Sequence, residues 1–341
     1  MTGTGTGTGT PVPGGTPVRL GVLGCAEIAW RKTLPALAGV PQLRLTAVAS
    51  RDPERAARFG ERFGAQPVTG YPALLERDDV DAVYLPLPAA LHAPWVDRAL
   101  RAGKHVLAEK PLATVEADAR RLVALADSRG LVLAENYMFT LHSQHAQVRE
   151  LIGSGLIGEP RLLSAAFAIP ALPREDIRYR PDVGGGALAD VGGYPLRAAT
   201  LLLGDRLEVV GATLRRDPAR GVDLGGTALL VTPDGVAAQL AFGMEHAYRC
   251  EYEVWGSAGR LRLDRAFTPP ADHKPVLRIE RGGEVQERLL APDDHFEAAL
   301  RAFADAVRTG TDSGLQGAAV LRQAALVQRV RDVARYLDVP N

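Results

Sequence analysis

The sequence predicts an α/β chain of two domains: a doubly wound parallel sheet, then an α+β domain built on a large, open, mostly antiparallel sheet. Three observations carry this. At 341 residues the chain exceeds what a single core usually supports. Up to about Gly158, short apolar runs alternate with helical stretches, the rhythm of βαβ units. Beyond that point strands follow one another with no helix between them, which suits antiparallel pairing.

Residues 1–17 read as a Gly-Thr repeat followed by Pro and Gly. They bury too little apolar area to offset ordering entropy and are expected to be a disordered tail. Residues 18–24 are an apolar run ending in glycine, a buried strand. A helical stretch with Ile28, Leu34 and Leu37 follows, then a strand at 43–50, a helix at 54–63 and a short element at 67–68. A strand at 80–85 leads to a helix at 95–102, with Gly103 as its C-cap. A strand at 105–108, a helix at 115–129 stopped by Gly130 and a strand at 131–134 complete a Rossmann-type dinucleotide-binding domain, expected over 18–137. The second domain, 138–341, is expected to serve substrate binding and oligomerisation. Its strands are expected at 161–169, 207–214, 226–232, 236–242, 248–256, 260–264 and 276–281. Two helices, 294–308 and 315–336, close the chain and are free to pack back on the first domain.

Composition narrows the function. Lys+Arg and Asp+Glu balance at 40 each, so nothing in the charge points to nucleic acid. No apolar run is long enough to cross a bilayer, and the N-terminus lacks a signal-peptide pattern. Only Cys25 and Cys250 occur. That excludes a disulfide framework, suits a reducing compartment and leaves a single bridge open. A cytoplasmic enzyme is expected.

The first strand-to-helix turn, Gly24-Cys25-Ala26-Glu27-Ile28-Ala29, approximates the G-x-G-x-x-G/A dinucleotide fingerprint. Gly24 fits the tight turn and Ala29 the close helix–strand approach, while Ala26 departs where glycine normally lets backbone meet pyrophosphate. Backbone N–H groups at the helix start still suit an anion. At the end of the second strand, Ser50 and Arg51 stand where an acidic residue would bind the ribose of NAD. A hydroxyl with a guanidinium suits a 2′-phosphate, favouring NADP(H). The alternative is that Arg51 is solvated and Asp52 serves NAD.

Longer motifs then identify a resemblance. The turn at Gly24, Pro86-Leu87-Pro88 with His92 downstream, Ala108-Glu109-Lys110-Pro111-Leu112, Asn136-Tyr137-Met138-Phe139 and the stretch from Gly184-Gly185-Gly186 through Asp190 to Tyr194-Pro195 resemble the glucose–fructose oxidoreductase/inositol dehydrogenase (Gfo/Idh/MocA) family. The similarity runs over about 18–335. Within it, Trp30-Arg31, Leu141-His142-Ser143-Gln144-His145, Asp176-Ile177-Arg178-Tyr179, the segment Phe242 to Tyr248 and Phe267-Thr268-Pro269-Pro270 are similar to the NDP-hexose 3-ketoreductases of deoxysugar pathways. The resemblance implies NADPH-dependent reduction of the C3 ketone of a dTDP-3,4-diketo-2,6-dideoxyhexose to a 4-keto sugar destined for an antibiotic. The other readings are an NADP-dependent dehydrogenase of a free sugar, inositol or dihydrodiol, and a non-catalytic NADP sensor. The sensor is disfavoured because Lys110 and Tyr194 are both present. Family likeness also implies that Leu85, Leu87, His92, Glu109 and Arg178 lie on the cofactor side. It further implies a homodimer or homotetramer formed through an uncovered sheet face.

Ketone reduction needs a hydride donor, a proton donor and a dry pocket. Lys110 lies just beyond a parallel strand, where such folds bind ligands. Its ammonium suits polarising a carbonyl or lowering the pKa of a nearby phenol. Tyr194 is a credible acid if a cation sits close, and the Tyr there, where many family members resemble the layout with His, matches the sugar-ketoreductase subgroup. Asp190, four residues earlier, would share a helical face with Tyr194 and either bind a substrate hydroxyl, orient Lys110 or cap the helix. Taken alone, Lys110 reads as a surface residue and Tyr194 as a core aromatic. Phe139, His142 and His246 are expected in the substrate pocket. No carboxylate or cysteine completes a metal spacing with His142, His145 and His246, so no metal is expected. A cis Lys110-Pro111 peptide is expected from the tight turn, and Cys25 is expected to fill space.

Overall fold

The computed structural model describes residues 15–339, so most of the tail expected at 1–17 lies outside the described residues. Two compact units result: the segment up to Asn136 together with Phe296–Leu321, and Tyr137–His295 together with Arg322 onward.

The first unit holds a six-stranded sheet of β1 (Val18–Leu23), β2 (Leu43–Ser50), β3 (Gln66–Thr69), β4 (Ala82–Leu85), β5 (His105–Ala108) and β6 (Leu133–Glu135). The strand order is β3-β2-β1-β4-β5-β6, and every pairing is parallel. The order reverses between β1 and β4, and ligands of such sheets bind in the crevice beyond the strand ends there. β4 and β5 are buried at every position, because helices cover both faces of a parallel sheet. Asp52 caps the helix Pro53–Phe63, its carboxylate accepting from the N–H groups of Glu54 and Arg55. The chain returns to this unit near its end: Glu135 donates its N–H to the Leu315 carbonyl, and Ala134 bridges Gln316.

The second unit holds a nine-stranded sheet, β14-β13-β12-β11-β7-β10-β9-β8-β15. Its strands are β7 (Pro160–Ala168), β8 (Glu208–Asp217), β9 (Val222–Val231), β10 (Ala237–Gly243), β11 (Arg249–Gly256), β12 (Gly259–Asp264), β13 (Val276–Arg281), β14 (Glu284–Leu289) and β15 (Ala334–Asp338). β7 with β10 and β8 with β15 pair parallel; the other pairings are antiparallel. Burial alternates along β11 and β12, the mark of a sheet with one covered face. The helix Gly193–Leu203 packs on the covered face against β7 and β10. Phe139, Phe167, Tyr194, Phe242 and Phe267 fill the layer between.

Two strands of the second unit, β15 and β14, were not expected. The helix expected at 315–336 runs only over Gly317–Val333. Ala334–Asp338 becomes a strand because the edge of β8 offers unpaired backbone groups to it. β14 was not expected: its residues are exposed and carry little apolar signal. The Gly282-Gly283 turn, with φ of 58° and 84°, was the legible sign of that hairpin.

Candidate functional site

The first unit's candidate residues gather at the carboxyl ends of β1, β2, β4 and β5. Gly24 closes β1 with φ 121°, and a Cβ there would meet Leu87 Cδ2 at 2.6 Å. This backbone groove is one that a side chain would fill, as a bound pyrophosphate requires. Ala29 is fully buried behind it, at the start of a π turn, Ala29–Thr33. Ala26 and Ile28 are half-buried along the turn. Glu27 points outward and pairs with Arg31, so its carboxylate is spent on the surface. Cys25 is buried against the Ala49 carbonyl; burial pushes its thiol up to about 11, and both cysteines are free thiols.

Ser50 is buried at the end of β2, its Oγ accepting from the Asp52 N–H at 3.1 Å. Arg51 beside it is exposed. The carboxylate of Asp52 is taken by the helix cap. With Asp52 engaged at the helix start, Ser50 ends β2 and Arg51 follows it.

Lys110 follows β5, half-buried, and its peptide to Pro111 is cis. The residues around it are locked. Glu109 is buried, and its Oε1 accepts from the Tyr84 phenol at 2.7 Å and the Asn136 side-chain amide at 2.8 Å. Tyr84 Oη also contacts Thr33 Oγ1 at 2.9 Å. Burial first, then the Glu109 charge, holds the Tyr84 phenol far above its usual pKa, so it stays a donor. His92 is buried with its ring nitrogens 2.7 Å from the carbonyls of Pro111 and Leu87. His92 and Glu109 therefore tie the Glu-Lys-Pro segment to β4 and the following helix. Leu85 is fully buried in the sheet. Leu87 is half-buried over Gly24.

In the second unit, Tyr194 begins the helix Gly193–Leu203 and is 5% exposed. Its ring meets those of Tyr137 (5.5 Å), Phe139 (5.6 Å), Phe167 (5.0 Å) and Phe267 (5.9 Å). Such an aromatic cage fixes the phenol and excludes water. Phe139 is fully buried in the cage, its ring 5.6 Å from that of Tyr194. Asp190 lies in a π turn, Leu188–Gly192, directly before the helix that carries Tyr194. It accepts from Arg178 Nε at 2.7 Å, and Arg178 also reaches Asp176. Asp190 does not cap the helix start: Asp223 does, accepting the Leu188 N–H at 2.6 Å.

The histidines resolve into packing groups. His142 is buried and caps the helix Ser143–Gly153, its Nδ1 accepting from the Gln144 N–H. His145 lies between Tyr252 Oη (2.9 Å) and the Ala266 carbonyl (3.0 Å), and burial drives its pKa down to about 3. His246 Nδ1 sits 2.7 Å from the Met244 carbonyl. Among the described residues no group of three or more His, Cys, Asp or Glu is arranged to hold a metal, and no helix is long and apolar enough to cross a membrane. Sequence reasoning missed Tyr84, which reads as strand core, Asn136, to which it gave no role, and Asp223, which reads as a loop acid. The Gly186 motif was the available hint to Asp223, because a Cβ on Gly186 would meet Asp223 Oδ1 at 2.5 Å.

Comparison with known proteins adds to this geometry. Residues 18–137 match the model of the Gfo/Idh/MocA oxidoreductase family, NAD-binding Rossmann fold, and 145–262 match that of the Gfo/Idh/MocA C-terminal domain. The dTDP-3,4-didehydro-2,6-dideoxy-alpha-D-glucose 3-reductase of Actinomadura kijaniata is 57% identical over 95% of this chain and 98% of its own. The enzyme of the same name from Streptomyces violaceoruber is 58% identical over 94% of this chain and 97% of its own. A solved 3-ketoreductase from Actinomadura kijaniata, in complex with NADP and TDP-benzene, superposes with a TM-score of 0.93 at 57% identity, covering 95% of this chain and all of that one.

Proposed function

Because the chain belongs to the Gfo/Idh/MocA oxidoreductase family, we propose that it is an NADPH-dependent sugar 3-ketoreductase. It reduces the C3 ketone of a dTDP-3,4-diketo-2,6-dideoxyglucose to the 4-keto sugar. The observation that carries this reading is the 57% identity, over nearly the whole of both chains, to a reductase of that name.

In this reading, bound nicotinamide supplies the hydride. The Gly24 groove takes the pyrophosphate, and Ser50 and Arg51 take the 2′-phosphate. Tyr194 donates the proton to the nascent alkoxide. Lys110 supplies the ammonium charge that ketone reduction calls for. Glu109, held by Tyr84 and Asn136, and His92, held at Pro111, keep Lys110 in place. Arg178 and Asp190 act as a pair, with Asp190 oriented by the guanidinium toward a sugar hydroxyl. The enzyme is cytoplasmic and a homodimer or homotetramer. The support for assembly is the uncovered face of the large sheet, where Leu229 and Trp255 are 42% and 57% exposed; a monomer by light scattering argues against it.

The test is NADPH oxidation with a panel of nucleotide sugars and free sugars. Turnover of the dTDP-linked 3,4-diketo sugar with a 4-keto product is expected. Turnover only of free sugars or inositol overturns the substrate, and tight NADPH binding with no turnover of any compound overturns the enzyme.

A further inference from the structure

The helix Gly317–Val333 buries Leu326 and Val330 in the core of the second unit. Gln323 lies one turn before Leu326 and two before Val330, on the same face, and is 2% exposed. A glutamine in an apolar stripe costs free energy unless its amide is satisfied. Here the amide is satisfied on one side only. Nε2 donates to the Gly193 carbonyl at 2.9 Å and to Tyr137 Oη at 3.3 Å. Oε1 is buried with no hydrogen-bond partner among the described residues. Turning the amide over does not relieve this, because Oε1 would then face the Gly193 carbonyl, acceptor against acceptor. Leucine would fill the same place with no orphaned acceptor, so what the glutamine adds is its two donations.

Both donations end at the turn that carries Tyr194. The Gly193 carbonyl belongs to the peptide unit whose nitrogen is that of Tyr194, at the start of the helix Gly193–Leu203. Peptide units are planar, so a bond on that oxygen fixes the plane that holds the Tyr194 nitrogen and Cα. The second donation holds Tyr137, whose ring stands edge-on to that of Tyr194, with centroids 5.5 Å apart and planes at 81°. Backbone and ring are thus gripped by one amide. The chain is fitted to this arrangement: a Cβ on Gly193 would overlap Tyr137 Oη and lie 3.3 Å from Gln323 Nε2. Only glycine lets the phenol and the amide come this close to the turn.

We propose that Gln323 is a positioning residue for reduction: by tying the Gly193 carbonyl to Tyr137 it fixes the Tyr194 phenol at the angle from which the proton is delivered. This rests on the reading above in which Tyr194 is the proton donor. Both bonds of Gln323 end on the protein, so it acts on the rate through Tyr194 and not on the binding of sugar or cofactor.

Steady-state NADPH oxidation by the full chain with the dTDP-linked diketo sugar tests this. Gln323→Leu is expected to lower kcat about tenfold, the scale of one lost hydrogen bond that orients a reacting group. KM for the sugar and NADPH affinity stay at the wild-type values, and the urea midpoint is no lower than wild type, because the orphaned Oε1 leaves with the amide. In a Tyr194→Phe background the same substitution is expected to cost no further activity, since a residue that acts through the phenol has nothing left to orient. Gln323→Glu sets a carboxyl against the Gly193 carbonyl, where it donates only when protonated. Its kcat relative to wild type is therefore expected to rise as pH falls, and this profile gives a reading that does not depend on the folding of Gln323→Leu. A wild-type kcat in Gln323→Leu overturns the proposal and leaves the proposed function standing. So does a loss that persists undiminished in the Tyr194→Phe background, or a ratio in Gln323→Glu that is flat with pH. A Tyr194→Phe variant as fast as wild type removes the proton donor and this role with it. No turnover of any sugar by the wild type overturns the proposed function and the role together.

Discussion

Asp223 Oδ2 accepts the backbone N–H of Leu188 at 2.6 Å, across 35 residues of sequence. The bond anchors the first turn of the helical segment that carries Asp190 and Tyr194. Burial raises the Asp223 carboxyl pKa, and bonds from the Leu188 and Ala187 N–H groups draw it back. Replacing it by alanine strands those buried donors. Asp223→Ala is expected to cost about 2–3 kcal/mol of stability and to lower kcat more than it changes NADPH affinity. A urea midpoint equal to wild type would show that the cap does not hold this helix.

Lys110 and Tyr194 are assigned the proton chemistry. Lys110→Ala and Tyr194→Phe are each expected to lower kcat by about 100-fold or more, the usual worth of a positioned acid, with NADPH affinity within a few-fold of wild type. Steady-state kinetics with the dTDP-linked diketo sugar measures both, and wild-type rates in the two variants remove the assignment.

Cofactor choice is placed on Ser50 and Arg51, since Asp52 is occupied by its helix cap. Arg51→Ala should weaken NADPH by about 10- to 100-fold, the scale of a charge-assisted hydrogen bond, and leave NADH unchanged. Fluorescence titration of the two cofactors reads this directly, and an unaltered NADPH/NADH ratio would shift the 2′-phosphate elsewhere.

His145 makes the fold acid-sensitive. Burial depresses its pKa from 6.5 to about 3, so the unfolded chain binds the extra proton between those values. The stability contributed by neutral His145 is whole above about pH 6.5 and is lost as pH falls toward 3. At about pH 5 the loss from this residue is roughly 2 kcal/mol, and burial depresses His92 and His142 in the same direction. Urea denaturation at several pH values should show that slope. It should flatten in His145→Gln, and an identical slope in that variant would place the acid sensitivity elsewhere.

Thiol chemistry should be silent in the native state. Cys25 and Cys250 are buried, and Cys25 is pushed up to about 11 by burial. A disulfide reagent at neutral pH is expected to label neither until denaturant is added, and fast native labelling would contradict the closed turn at Gly24.

The parallel sheet, the Gly24 turn, the Ser50-Arg51 end of β2 and the long antiparallel run were legible in the chain, because each is written in residues close in sequence: apolar periodicity, turn glycines and strand-end polarity. The partners of Glu109, His92, Phe139 and His142 were not legible, for the opposite reason. What engages them comes from elsewhere: Tyr84 and Asn136 on Glu109, the Pro111 carbonyl on His92, Tyr194 and Phe267 on Phe139. The motif carrying Lys110 and Tyr194 could be recognised but not built, since a cap such as Asp223 is indistinguishable in sequence from any loop acid.

Sequence by itself therefore determined the architecture, the residue types available for reduction and the leaning toward NADP. Tertiary structure decided which polar side chains are consumed as scaffold, which is why Asp52, Glu109 and His145 are spoken for. The physical reason is that buried polar groups must find hydrogen-bond partners, and only the folded chain determines which partners come within reach.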